Sequence, residues 1–114
     1  SDLNGKMLRD FTYVDDVTKL ISKVIFDKQT KNKLFEVFNI GNSSPVNLKE
    51  FISTIEKKLK IKAKKINLPI QPGDVKKTYA DTTDTYKKFK FKPNTSIKTG
   101  LSNFVDWYKL YYSI

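Results

Sequence analysis

A chain of 114 residues carrying a net charge of +10 has room for one small domain, not for separate cofactor and substrate lobes. At 39% hydrophobic and 30% charged residues it has the composition of a globular domain rather than a disordered segment. It contains no cysteine and no histidine, which excludes disulfides, thiolate nucleophiles, Cys- or His-ligated metals and the commonest neutral-pH base. No apolar run reaches the about 18 residues that span a bilayer, and residues 1–10 lack a signal-peptide core. The expectation is a cytoplasmic protein with no membrane partner.

Residues 10–14, DFTYV, favour a strand, and Asp15 or Asp16 can cap a following helix. Its apolar positions Val17, Leu20, Ile21, Val24 and Ile25 keep the spacing of one helical face. A polar loop at 28–33 leads to 34–40, LFEVFNI, which is apolar on both alternating faces except at Glu36 and Asn39. That pattern predicts a strand covered on both sides. Residues 41–45, GNSSP, form a turn, and Asn47 with Glu50 has capping-box spacing ahead of Leu48, Phe51, Ile52, Ile55 and Leu59. Residues 62–68, KAKKINL, alternate imperfectly and predict a short exposed strand.

Pro69, Pro72 and Gly73 then hold 70–74, IQPGD, in a rigid loop able to carry chemistry. Residues 78–80 predict a brief strand, Asp81 caps a short helix through Phe89, and Pro93 ends any continuation. Thr95 or Ser96 caps a last helix, with Ile97, Leu101, Phe104, Val105, Tyr108, Tyr111 and Tyr112 on one side, and its aromatics Phe104, Trp107, Tyr108, Tyr111 and Tyr112 are read as core packing rather than as a stacking surface for bases. The whole is one mixed α/β unit over 1–114. Its difficulty is LFEVFNI, because the other strands are too short and polar to flank it.

The four glycines, Gly5, Gly41, Gly73 and Gly100, are too far apart to write a GxGxxG or a Walker loop, so no phosphate cradle is encoded. Asp15, Asp16, Asp81 and Asp84 are read as caps and first-turn charges rather than ligands. The cations are 21 lysines and one arginine, an imbalance that favours a solvated surface over arginine-based nucleic-acid recognition. A small basic nucleic-acid-binding module is the alternative carried by the charge and the aromatic carboxy terminus. Two positioned groups stand out. Arg9, at a strand start, suits a phosphate, and Asp74, held after Pro-Gly, suits a ribose hydroxyl.

RDFTYVDDV at 9–17, FNIGNSSPVNLKEFISTIEKKL at 38–59, PIQPGDVKKTYAD at 69–81 and KPNTSIKTGLSNFVDWY at 92–108 resemble a known family in order and spacing. They are similar to the carboxy-terminal part of extended short-chain dehydrogenase/reductase nucleotide-sugar epimerases, nearest to the bacterial UDP-glucuronate 4-epimerase group. The resemblance implies a substrate-binding portion of a longer Rossmann-type enzyme. The amino-terminal dinucleotide-binding domain, with its glycine-rich loop, catalytic Tyr-x-x-x-Lys and neighbouring Ser or Thr, would be absent from this chain. No catalytic residue and no bound cofactor are then expected here, NAD serving the full-length parent.

The implied reaction oxidises C4 of a UDP-sugar, turns the keto sugar and returns hydride to its other face, in service of surface polysaccharide synthesis. Dehydratase or decarboxylase siblings differ mainly in residues outside this chain. Carried over by position, Arg9 matches the pyrophosphate arginine and Asp74 the acid that binds the ribose. Gln71 stands where UDP-galactose 4-epimerases have a second phosphate arginine, and can offer one neutral hydrogen bond instead. The resemblance also implies that 34–40 joins the missing domain's sheet, so the isolated chain is expected to self-associate through it.

Overall fold

The computed structural model describes residues 7–27 and 35–114. In chain order its elements are β1 (Leu8–Arg9), α1 (Val14–Ile25), β2 (Val46–Asn47), α2 (Leu48–Leu59), α3 (Thr83–Phe89) and α4 (Ile97–Tyr112). The class is the mixed α/β one expected, with the four helices in place. β1 pairs antiparallel with β2, Leu8 opposite Asn47 and Arg9 opposite Val46, and also bridges in parallel to Lys77. Leu8 donates its N–H to the Lys76 carbonyl at 3.0 Å and accepts the Thr78 N–H at 3.2 Å.

The strand expected over 10–14 is instead this two-residue β1, and Tyr13 already occupies the N-cap of α1 without a side-chain cap. Asp15 and Asp16 fall in the first turn of α1. Asp16 is buried and accepts the Thr95 N–H at 3.0 Å, with Lys19 at 3.8 Å. An amide donor at the approach to α4 needs a partner, and this tertiary demand draws the carboxylate away from capping. The brief strand expected at 78–80 is displaced to the bridge at Lys77, because Ala80 gives its N–H to the Asp10 carboxylate rather than to a ladder.

Asp10 is a hub. Its carboxylate accepts the N–H groups of Ser43 (3.0 Å), Ala80 (3.1 Å) and, more weakly, Ser44 (3.4 Å), and Ser43 Oγ donates to the Ala80 carbonyl at 2.8 Å. Gly41 lets this loop approach so closely. A Cβ there would stand 2.3 Å from the Ala80 Cβ.

Of the strand expected over 34–40, Leu34 lies outside the described residues. Residues 35–40 form no ladder among the described residues, yet Phe35, Val37 and Asn39 are exposed while Glu36, Phe38 and Ile40 are half-buried. The side chains keep a strand's period of two without a strand's partner. The inward set is used: Phe38 meets Phe89 edge-on at 5.0 Å, Glu36 pairs with Lys88, and Thr85 Oγ1 donates to the Asn39 carbonyl at 2.5 Å. The strand expected over 62–68 is also replaced by an exposed, unladdered segment. It is pinned instead by Glu56, which accepts the Ala63 N–H at 3.0 Å and pairs with Lys65 at 2.8 Å and Lys62 at 3.7 Å.

α2 and α4 start where their caps dictate. Asn47 accepts the Lys49 N–H at 2.8 Å and Ser96 Oγ the Thr99 N–H at 3.1 Å, each satisfying an orphan donor of the first turn. The two helices pack together, bridged by Lys58 and Asp106 at 2.8 Å. The buried apolar core is Met7, Leu20, Phe89, Leu101 and Val105, with Phe11 stacked on Phe51 at 4.3 Å beside it. This corrects the reading of α4: Trp107, Tyr111 and Tyr112 are 53%, 67% and 55% exposed. No layer of the described chain covers the far half of the helix. The radius of gyration, 17.4 Å, accordingly exceeds the about 13 Å of a compact domain this long.

Candidate functional site

The positioned groups converge where β1 meets the loop ahead of Lys76. Gln71 to Asp74 form a tight turn in which the Asp74 N–H reaches the Gln71 carbonyl at 3.1 Å and Gly73 takes φ +85°. Pro at the second position and a positive-φ Gly at the third are what a type II turn requires. The turn is tethered on its carboxy-terminal side by the Leu8 bonds to Lys76 and Thr78, so Asp74 is delivered to the flank of β1.

There Arg9 Nη2 donates to Asp74 Oδ1 at 2.6 Å, while Nη1 donates to the Leu8 carbonyl at 3.0 Å. The pair is partly open to solvent, the side chains being 24% and 40% exposed. A guanidinium has five N–H donors in a planar fork. Two are committed by these bonds, which fix the plane of the group and leave it donors for an anion. Asp74 likewise keeps a second oxygen, Oδ2, beyond the one bound to Arg9. The arrangement therefore presents a fixed cation beside a hydroxyl acceptor, the two functions needed to hold a ribose phosphate.

Of the three candidate residues, the structure brings Arg9 and Asp74 together. Gln71 is exposed at the start of the same turn, joined to Asp74 through its backbone carbonyl. The sequence offered Arg9 and Asp74 as separate candidates and missed that each holds the other. The available signal was charge: the chain's single arginine and an acid fixed by Pro-Gly. The Asp10 hub, which carries the loop at 43–44 and the strand-like run to Ala80, was missed because its partners lie 33 to 70 residues away.

No group of three metal-ligating side chains occurs among the described residues. Gly41 is filled against Ala80 and Asp10, and Gly73 belongs to an exposed turn, so neither lies in a strand-to-helix cradle for a pyrophosphate.

No family model matches the chain. It is 43% identical to Protein CapI of Staphylococcus aureus over 96% of its own length and 37% of that protein's. It is 39% identical to UDP-glucuronate 4-epimerase 4 of Arabidopsis thaliana, again over 96% of this chain and 28% of the relative. Among solved structures it superposes with a TM-score of 0.84 on the UDP-glucuronic acid 4-epimerase of Bacillus cereus in complex with UDP-glucuronic acid and NAD. The two are 33% identical, and the match covers 96% of this chain and 34% of that one. The chain spans about a third of the length of the curated relatives it matches.

Proposed function

Taking as premise that this chain is related in sequence and fold to extended short-chain dehydrogenase/reductase epimerases, and resembles their carboxy-terminal part, we propose that it is the nucleotide-sugar-binding portion of an NAD-dependent UDP-sugar 4-epimerase. The substrate pair is UDP-glucuronate and UDP-galacturonate. The observation that carries the proposal is the ion pair of Arg9 and Asp74 across a tethered turn, which supports a phosphate donor and a ribose acceptor fixed side by side.

In this reading Arg9 turns its remaining N–H donors to the pyrophosphate and Asp74 Oδ2 accepts a ribose hydroxyl. Gln71 adds a neutral donor at the rim, and domain 1–114 contributes nothing to the redox step. NAD, when bound by the amino-terminal part of the parent, takes up and returns the hydride. The chain's task is to hold the nucleotide while the sugar turns, so that orientation is fixed in advance and only the sugar pays an entropic cost. Alone the chain is inactive. We further place the parent in the cytoplasm, supplying a sugar for surface polysaccharide. Residues 35–40, strand-like in exposure and without a ladder, are proposed to pair with the amino-terminal domain, or between copies when that domain is missing.

The test is calorimetry on the longer protein. Arg9→Ala is expected to weaken UDP by about 1.5–3 kcal/mol, the range for a hydrogen bond to a charged group, while leaving uridine unchanged. Asp74→Ala should weaken both UDP and uridine. Unchanged UDP affinity in Arg9→Ala would remove Arg9 from the phosphate site.

A further inference from the structure

β1 is two residues long, and the run from Asp10 to Tyr13 that follows it belongs to no helix or ladder. So short a pairing is marginal by itself, and Arg9 keeps a fixed place only if both of its neighbours are held. On the near side, Leu8 is fastened to Lys76 and Thr78 by its backbone bonds. On the far side the fastening is Asp10. Its N–H donates to Thr78 Oγ1 at 3.0 Å, and its half-buried carboxylate takes the amides of Ser43, Ala80 and, more weakly, Ser44. Arg9 therefore stands between two anchored residues.

The same carboxylate governs the strand opposite. Ser43, Ser44 and Pro45 lead directly into Val46, which pairs with Arg9 across the ladder. Ser43 has φ 51°, in the left-handed region that a side chain disfavours. That conformation turns the successive N–H groups of Ser43 and Ser44 onto one anion, in the manner of an anion-holding nest. Take the anion away and the strained residue loses the acceptor that offsets its cost, so the approach to Val46 relaxes with it. One side chain thus fixes the end of β1, the loop entering β2 and the segment that follows the Asp74 turn.

We propose that Asp10 is a positioning residue for nucleotide binding: it touches no part of the ligand and sets where the Arg9 guanidinium stands. The proposal rests on the reading of Arg9 and Asp74 as the nucleotide's seat. Its sign separates it from an electrostatic role. A carboxylate next in sequence to the arginine opposes a phosphate, so on charge alone its removal should tighten UDP. Loss of positioning weakens UDP instead, because a bond to a displaced guanidinium is long or bent.

Calorimetry with UDP and uridine on the longer protein tests this, each variant first checked by circular dichroism for an unchanged fold. Asp10→Ala is expected to weaken UDP about tenfold, a part of what a bond to a charged group is worth, and to leave uridine within about twofold. The double variant Arg9→Ala/Asp10→Ala should bind UDP within about twofold of Arg9→Ala, since a residue acting through Arg9 has nothing left to act on. Asp10→Asn, able to turn its one oxygen to the Ser43 and Ala80 amides, should recover most of the affinity. Thr78→Val spares the carboxylate and removes the acceptor of the Asp10 N–H; it should show the same pattern at smaller size, and it decides the matter if Asp10→Ala does not fold. Unchanged or tighter UDP binding in the folded variants would overturn the proposal. So would an equal loss for uridine, or a loss that simply adds to that of Arg9→Ala. If Arg9→Ala itself leaves UDP unchanged, the seat falls and Asp10 with it; if only the Asp10 and Thr78 variants do, the seat stands and Asp10 alone is struck from it.

Discussion

Gly41→Ala is the substitution for which the structure specifies the damage most closely. The new methyl would stand 2.3 Å from the Ala80 Cβ and 3.0 Å from Asp10 Oδ2. Relief requires the 41–44 loop and the Ala80 strand-like segment to separate by about 1 Å. Asp10 joins these two segments, at 3.0 Å to the Ser43 N–H and 3.1 Å to that of Ala80, so a shift of that size stretches one bond past useful length. Overpacking costs about 1–3 kcal/mol, and a hydrogen bond to a charged group about 1.5–3 kcal/mol. The expected loss is thus about 3–5 kcal/mol, a large part of the about 5–15 kcal/mol that holds a domain together.

Urea unfolding followed by circular dichroism measures it, and Ala80→Gly supplies the control. Removing the opposing methyl should recover at least half of the loss in the double variant, because the two substitutions are coupled through one contact. A Gly41→Ala protein within about 0.5 kcal/mol of the parent, the scatter of neutral surface changes, would refute the packing argument. Failure of Ala80→Gly to rescue would do so equally.

Two further outcomes follow from the same contacts. Asp16→Ala leaves the half-buried Thr95 N–H without its carboxylate acceptor and should cost about 1–3 kcal/mol in the same assay, most of it spared in Asp16→Asn, whose amide oxygen still accepts. Acid should destabilise the chain through Glu56 and Asp81. Lys65, then the Ala63 N–H, hold Glu56 below its ordinary 4.5, and the Thr83 hydroxyl and N–H hold Asp81 below its ordinary 3.8. Folded values lowered in this way give stability that is complete above the ordinary values and drains as pH falls through the folded ones. Melting curves taken downward from pH 5 should therefore fall less steeply in Glu56→Gln; parallel curves would show that Glu56 makes no such contribution.

What was legible in the sequence was what local chemistry decides. Asn47 announced the start of α2 to the residue, and the choice of Thr95 or Ser96 that of α4 to within one, because a cap satisfies donors two or three positions away. The β1–β2 pairing joins residues nearly forty positions apart, and no local signal encodes such a partner. LFEVFNI was read as a strand from its alternation. The alternation survives in the exposure of 35–40, but a ladder needs a second chain segment that the described residues do not supply. The rings of α4 were read as core from helical spacing alone, which marks a face as apolar without saying what covers it. Asp16 reads as a cap by position and became a buried acceptor because Thr95, far along the chain, lacked one. Arg9 and Asp74 were found individually by residue type, whereas their union depended on the Gln71–Asp74 turn being tied to β1.

The central claim, that Arg9 and Asp74 form the nucleotide's seat, is tested most directly by titrating the isotopically labelled chain with UDP and following its amide resonances. The account predicts shifts confined to Leu8, Arg9 and Asp10 and to Gln71 through Lys76, saturating with UDP, much weaker with uridine, and lost in Arg9→Ala. Shifts centred on the lysines of 57–65, or a titration that Arg9→Ala leaves intact, would contradict it.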